Sequence, residues 1–135
     1  MARTRIEELT ILLARVIMGV PFIYTGYSKL IAAAGTQAFF AKLGLPVPPA
    51  AWAVAVAVEL LGGLAILLGI QTRIAGVVLA VWCIATALVA HSNFGDPNQA
   101  IHFTKNVIMT GGFLYVAVFG AGAYTIWQIF GKGPR

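Results

Sequence analysis

Seven residues carry the side chains with which this sequence could do chemistry: Lys29, Glu59, His91, Lys105 and Asn106, joined by Tyr24 and Tyr27. Each lies within or at the edge of a long apolar run, so the cost of placing it there sets its meaning. A charge at the centre of a bilayer costs at least about 2.5 to 3.5 kcal/mol on insertion scales, and an intramembrane ionisable group is by default a functional candidate. Glu59 follows Ala50, the start of its run, by nine positions, which at about 1.5 Å per residue sets it near the middle of the bilayer. A carboxylate there must face the neighbouring helices, and beside cations it can relay protons. Lys29 ends the first run, His91 ends the third and Lys105 opens the fourth, so three helices bring basic groups to one level near one boundary. Tyr24, Tyr27 and Asn106 lie close to that level, and the set describes a polar, ligand-binding pocket leaning toward that side. Plainer roles exist for each cation. Lys29 and Lys105 can snorkel to headgroups, His91 can meet a helix C-terminal dipole, and Arg15 can snorkel to the opposite face or pair with Glu59.

The elements that must position these groups follow from composition. The chain is 60% hydrophobic and 10% charged, with a mean hydropathy of +0.90, where a soluble domain carries about 25% charged residues. Its 135 residues suffice for one domain, 1–135, of about four spanning helices of roughly 20 residues each. The runs predict spans at about 9–30, 50–70, 74–91 and 103–119: an all-α integral membrane four-helix bundle with short loops. The first run is a span rather than a secretory signal, because it is too long, Arg15 interrupts it, and Glu7 and Glu8 lie where a signal is basic. Pro21 predicts a kink. Between the first two spans, Thr36 to Pro49 reads either as a short helix lying in the interface or as a compact loop, with Pro48 and Pro49 suited to the next helix's first turn. Gly62, Gly63, Gly111 and Gly112 predict closely packed helices rather than a wide channel. The tail, with Trp127 and Phe130, reads as amphipathic.

Charge and cysteine count narrow the function. Nine Lys and Arg against four Asp and Glu give +5, yet the basic residues stand singly at the ends of apolar runs. They make no nucleic-acid face, and their natural partner is the lipid bilayer. Cys83 is the one cysteine, so the chain can build no internal disulfide, Cys-x-x-Cys pair or cysteine metal cluster. No metal site and no covalent cofactor is implied, and any redox chemistry is borrowed from a ligand or a partner. His91 and His102 flank one loop and are not expected to face each other, which disfavours haem. Arg3, Arg5, Arg73, Lys132 and Arg135 share one side and Lys29, Lys42 and Lys105 the other, which by the positive-inside rule places both termini in the cytoplasm.

Taken in order, "GYSKL", "FFAKLGLPVP", "VELLGGLAILLGIQTR" and "FTKNVIMTGGFLYVAVFGAG" resemble the DoxX family of small bacterial four-helix membrane proteins, over nearly the whole chain. The resemblance matches Gly26 and Lys29, Glu59, Arg73, His91, and the pair Lys105 and Asn106; the tail "AYTIW" departs from the family's usual Ser or Asp. It implies a bacterial inner-membrane protein linked to quinone or thiol redox metabolism, since the family takes its name from small subunits of a thiosulfate:quinone oxidoreductase. A quinone is then the implied ligand or substrate. Lys29, Lys105 and His91 would donate to its carbonyl oxygens and Glu59 would exchange protons. The alternative is a non-catalytic anchor or assembly subunit of a larger oxidoreductase, with a soluble or membrane partner. A transporter of this size would need a homo-oligomer.

Overall fold

The computed structural model describes residues 3–131, and among them there are helices and turns but no strand. Six helices follow one another: α1 (Arg5–Ile31), α2 (Ala33–Lys42), α3 (Pro48–Leu68), α4 (Thr72–Ala90), α5 (Pro97–Phe119) and α6 (Ile126–Ile129). Three of them, α1, α3 and α4, are long and apolar enough to cross a membrane, at 27, 21 and 19 residues. Helix α5, with 23 residues, has the reach of a span, about 35 Å; Asn98, Gln99, His102, Thr104 and Lys105 in its first turns make it less apolar. The chain is an all-α membrane protein.

Capping sets where these helices begin. The Thr4 hydroxyl accepts from the Glu7 amide while the Glu7 carboxylate accepts from the Thr4 amide at 2.6 Å, a reciprocal capping box. Helix α1 therefore starts at Arg5 rather than near residue 9. The Asp96 carboxylate accepts from the Asn98 amide at 2.9 Å with Pro97 in the first turn, so α5 starts six residues before the expected 103. The expected starts followed the apolar runs, and the polar first turns extend the helices beyond them. The segment after the first span is helical, but from Ala33 to Lys42, and it ends before Gly44 at φ +79°.

One face of α1 makes the central contact. Its buried residues are Arg15, Gly19, Phe22 and Gly26, at spacings of four, three and four, and therefore in one stripe. A Cβ on Gly26 would stand 2.6 Å from the Leu60 nitrogen, and one on Gly19 2.8 Å from the Gly63 carbonyl oxygen. These helices touch through their main chains, as small residues permit. Helices α4 and α5 form a second pair, where a Cβ on Gly76 would lie 2.8 Å from the Phe113 carbonyl oxygen. Phe22, Ile66, Leu79, Cys83 and Phe113 fill the space between the pairs, with the Phe22 and Phe113 rings edge to face at 5.1 Å. Gly112 packs on Met18, whereas nothing stands near Gly111, so only one of those two glycines serves packing.

Arg15 is 1% exposed and does not pair with Glu59. Its guanidinium donates to the carbonyl oxygens of Ile66 (2.8 Å) and Leu67 (2.6 Å), in the last turn of α3, and of Ala121 (2.8 Å) and Tyr124 (2.6 Å) in the tail. Helix ends leave such carbonyls without partners, and their dipole favours a cation. Four charge-assisted bonds, at about 1.5 to 3 kcal/mol each, exceed the few kcal/mol that a buried charge costs on insertion scales. The clamp ties the tail to α3. Arg3 donates to the Phe119 carbonyl oxygen at 3.1 Å, and the Glu8 carboxylate accepts from the Ala123 amide. The start of α1 and the end of α5 thus lie at one end of the bundle, with Arg73 beside Gly120. Lys132 and Arg135 lie outside the described residues.

Gly26→Ala is expected to lower stability by about 1 to 3 kcal/mol, because its methyl would meet backbone that cannot swing away. Gly111→Ala, with open space around it, should be neutral or stabilising by up to about 1 kcal/mol. Reversible unfolding in mixed micelles measures both, and equal losses would contradict the backbone contact.

Candidate functional site

Glu59 lies on a single π-turn, Ala57–Leu61, inside α3. Such turns insert one extra residue into the helix and occur often at functional sites. The Gly26 contact with Leu60 holds this turn against α1, and Lys29 follows Gly26 by three residues, on the same face one turn on. The sequence spacing Gly-x-x-Lys therefore delivers an ammonium to the π-turn. Lys29 Nζ lies 2.7 Å from Glu59 Oε2, and the Trp82 indole of α4 donates to Glu59 Oε1 at 3.1 Å. The side chain of Glu59 is 7% exposed and that of Lys29 28%. The Trp52 indole donates to the Lys29 carbonyl oxygen at 2.7 Å and pins the end of α1 to the start of α3.

Around this pair is a cavity of about 580 Å³. The first half of α3 packs on α1 and α2 and its later part on α1 and α4, and the cavity lies among α1, α2, the first half of α3, α4 and α5. Its walls are almost entirely apolar: Pro21 and Phe22 from α1, Ala50, Ala51 and Val54 from α3, Ala85, Val89 and Ala90 from α4, and Met109 from α5. Phe39 and Phe40 of α2, with Leu43 and Leu45, close one side. The polar groups facing it are Lys29, Glu59, Trp82, Thr25, Thr86 and Asn106. The Thr86 hydroxyl lies 3.2 Å from Asn106 Oδ1, and the Asn106 amide donates to the His102 carbonyl oxygen at 3.0 Å. Every buried polar side-chain atom among the described residues has a partner, so the cavity offers an ordered polar end and an oily remainder.

Of the seven residues singled out from the sequence, Lys29, Glu59 and Asn106 line this cavity and four do not. Tyr24 and Tyr27 are 70% and 53% exposed, because α1 turns its Phe22 and Gly26 face inward and leaves the tyrosines outside. Lys105 is exposed, next to Asn106 and therefore about 100° away around the helix. His91 stands at the end of α4, where Nδ1 is 2.7 Å from Gln99 Oε1 and its ring stacks on that of His102 at 4.9 Å. The two histidines thus do face each other across the loop, contrary to expectation, since the early start of α5 carries His102 back alongside the end of α4. Trp82, Thr25 and Thr86 were not foreseen as lining residues. Trp82 and Thr86 are four apart, hence on one face of α4, and a tryptophan with a threonine one turn on in an apolar span was the available signal. Among the described residues no group of three or more His, Cys, Asp or Glu could hold a metal.

The DoxX family pattern matches residues 10–92. The chain is 37% identical over 128 residues to inner membrane protein YqjF of Escherichia coli, covering 95% of this chain and 97% of that one. It is 35% identical over 122 residues to inner membrane protein YphA of the same organism, covering 86% of each. A Bacillus subtilis protein named "Putative oxidoreductase CatD" is 41% identical over 81 residues, covering 60% of this chain and 59% of the other. No solved structure matches the chain.

Lys29→Met leaves the buried Glu59 carboxylate without its cation and is expected to cost about 3 kcal/mol, whereas the double variant with Glu59→Gln should recover part of that. A double-mutant cycle in detergent, read by thermal unfolding, should give a coupling of about 1 to 3 kcal/mol. Additive losses would mean the pair does not interact.

Proposed function

The chain belongs to the DoxX family, and from that premise we propose that it is an inner-membrane protein whose cavity binds a quinone in the service of quinone- or thiol-linked redox metabolism. The observation that carries this reading is the Lys29–Glu59 pair, closed by Trp82, in a mostly apolar cavity of about 580 Å³. A quinone is an apolar ring with two carbonyl oxygens, and it needs little else: oily walls for the ring and tail, and a few placed donors. Lys29 Nζ carries more than one proton and can donate to a carbonyl oxygen while it keeps its bond to Glu59. Asn106 and Thr86 stand on the α4–α5 wall as further polar contacts.

Reduction of a quinone to a quinol takes two electrons and two protons. The ammonium and carboxylate are adjacent groups through which a proton can pass to the oxygen on which charge develops. Electrons come from a second substrate or a partner oxidoreductase. The relatives named as inner membrane proteins, and the one named as an oxidoreductase, support the location and the chemical class. The end bearing Arg3, Arg5 and Arg73 then faces the cytoplasm with both termini, and α5 is the fourth span.

A second reading is an anchor or assembly subunit. It draws on the short α6 and the residue after it, where Trp127, Ile129 and Phe130 are exposed, and a partner oxidoreductase would cover this patch. Purification in mild detergent separates the two, because a co-purifying oxidoreductase and a quinone-free cavity would favour the anchor.

Titration with a soluble short-chain quinone should quench Trp82 fluorescence, with Trp52 and Trp127 replaced by Phe to isolate it. Lys29→Met is expected to weaken binding about 10-fold or more, as loss of a hydrogen bond to a charged group does. Unchanged affinity in both Lys29→Met and Glu59→Gln would remove the quinone reading.

A further inference from the structure

A second cavity, of about 550 Å³, lies between α1 and α5 at the end of the bundle where α1 starts and α5 stops. Its walls are again apolar, with Ile6, Ala14 and Met18 on α1 and Tyr115, Val116 and Phe119 on α5. Its charges are arranged differently from those of the first cavity. There the one cation sits 2.7 Å from a carboxylate and the site is neutral overall. Here Arg15 forms part of the lining and Arg3 the rim, and Arg73 lies beside Gly120, its Nε 3.6 Å from where a Cβ on that lining glycine would stand. Glu7 also lines the cavity and Glu8 lies near it, so the three arginines outnumber the carboxylates by one, and both carboxylates already accept hydrogen bonds. Glu7 accepts from the Thr4 amide and hydroxyl, and Glu8 accepts from the Ala123 amide while lying 3.9 Å from Arg3. Arg73 is exposed and makes no ion pair among the described residues.

We propose that this cavity is a binding site for an anionic phospholipid, with an acyl chain between α1 and α5 and the phosphate at Arg73 and Arg3. A groove in a bilayer fills with acyl chain, and the oily walls suit one. Charge complementarity selects the headgroup: guanidinium forks match phosphate oxygens, and basic pockets between spanning helices bind anionic lipid heads. The charge of Arg15, spent on four carbonyls, adds positive potential beneath the site without competing for the phosphate. The site does not depend on the quinone reading or on which side of the membrane the chain ends occupy.

Native mass spectrometry of the full chain in detergent, titrated with phosphatidylglycerol or with phosphatidylcholine of the same acyl chains, tests this. Phosphatidylglycerol should be retained several-fold better. Arg73→Gln, at an exposed position that leaves the core intact, should cut that preference about fivefold, since one basic residue near an anionic surface is worth about that much. Gly112→Leu, which fills the cavity against the flexible end of Met18, should reduce retention of both lipids, with helicity by circular dichroism as the control. Equal retention of the two lipids by the wild-type chain, an undiminished preference in Arg73→Gln, or unchanged retention in a folded Gly112→Leu would each overturn the proposal.

Discussion

The structure hangs on a contact between two main chains. Gly19 and Gly26 of α1 meet Gly63 and Leu60 of α3 so closely that no side chain fits between them. In lipid, where apolar side chains gain nothing by leaving one oily surface for another, such close packing is what holds helices together. The two cations of this face flank that contact. Arg15 lies four residues before Gly19 and Lys29 three after Gly26, so one stripe reads cation, glycine, phenylalanine, glycine, cation. Each cation finds its partner on α3, one in the last turn and the other about midway along that helix. Arg15 finds the carbonyl dipoles of the last turn, and Lys29 finds the carboxylate on the π-turn.

The two solutions differ in kind. Arg15 is solvated by dipoles that cannot titrate, and all of its bonds go to main-chain carbonyls, two of them from the tail that follows α5. It is a fastening. Lys29 is neutralised by a single carboxylate whose other oxygen holds an indole, and both groups look onto open space. That arrangement is costly unless a ligand or a proton makes use of it, because replacing a buried ion pair by apolar groups often stabilises a protein. The bundle is fastened at one end and keeps a charge pair facing a cavity nearer its middle.

Much of this was legible in the residues. Composition and run lengths gave an all-α membrane protein, and the depth of Glu59 made it the first candidate for a site. The stripe on α1 was not read from the sequence, although its four-three spacing was there to find. What was hidden has physical causes. The π-turn shifts the register of α3 by one residue, and no hydropathy pattern announces it. Which basic group would meet Glu59 depended on that shift and on the Gly26 contact, so the sequence offered Arg15 as its ion-pair partner and Lys29 only as a neighbour in the pocket. Tyr24, Tyr27 and Lys105 share the right depth but the wrong face, because depth along a membrane normal is set by counting and azimuth by packing. The starts of α1 and α5 were written in "TRIE" and "DPN", capping signals that lie outside the apolar runs.

Pro21, Ala50, Val54, Ala85 and Val89 line the first cavity and are also exposed along the flanks of the bundle, so the cavity borders the hydrocarbon rather than bulk water. A hydrophobic molecule reaches such a site after partitioning into the membrane, and the quantity that governs occupancy is its mole fraction among the lipids. A site of modest intrinsic affinity can then stay filled by a molecule barely soluble in water. Dilution of the membrane with detergent or added lipid would empty it without any change in the protein.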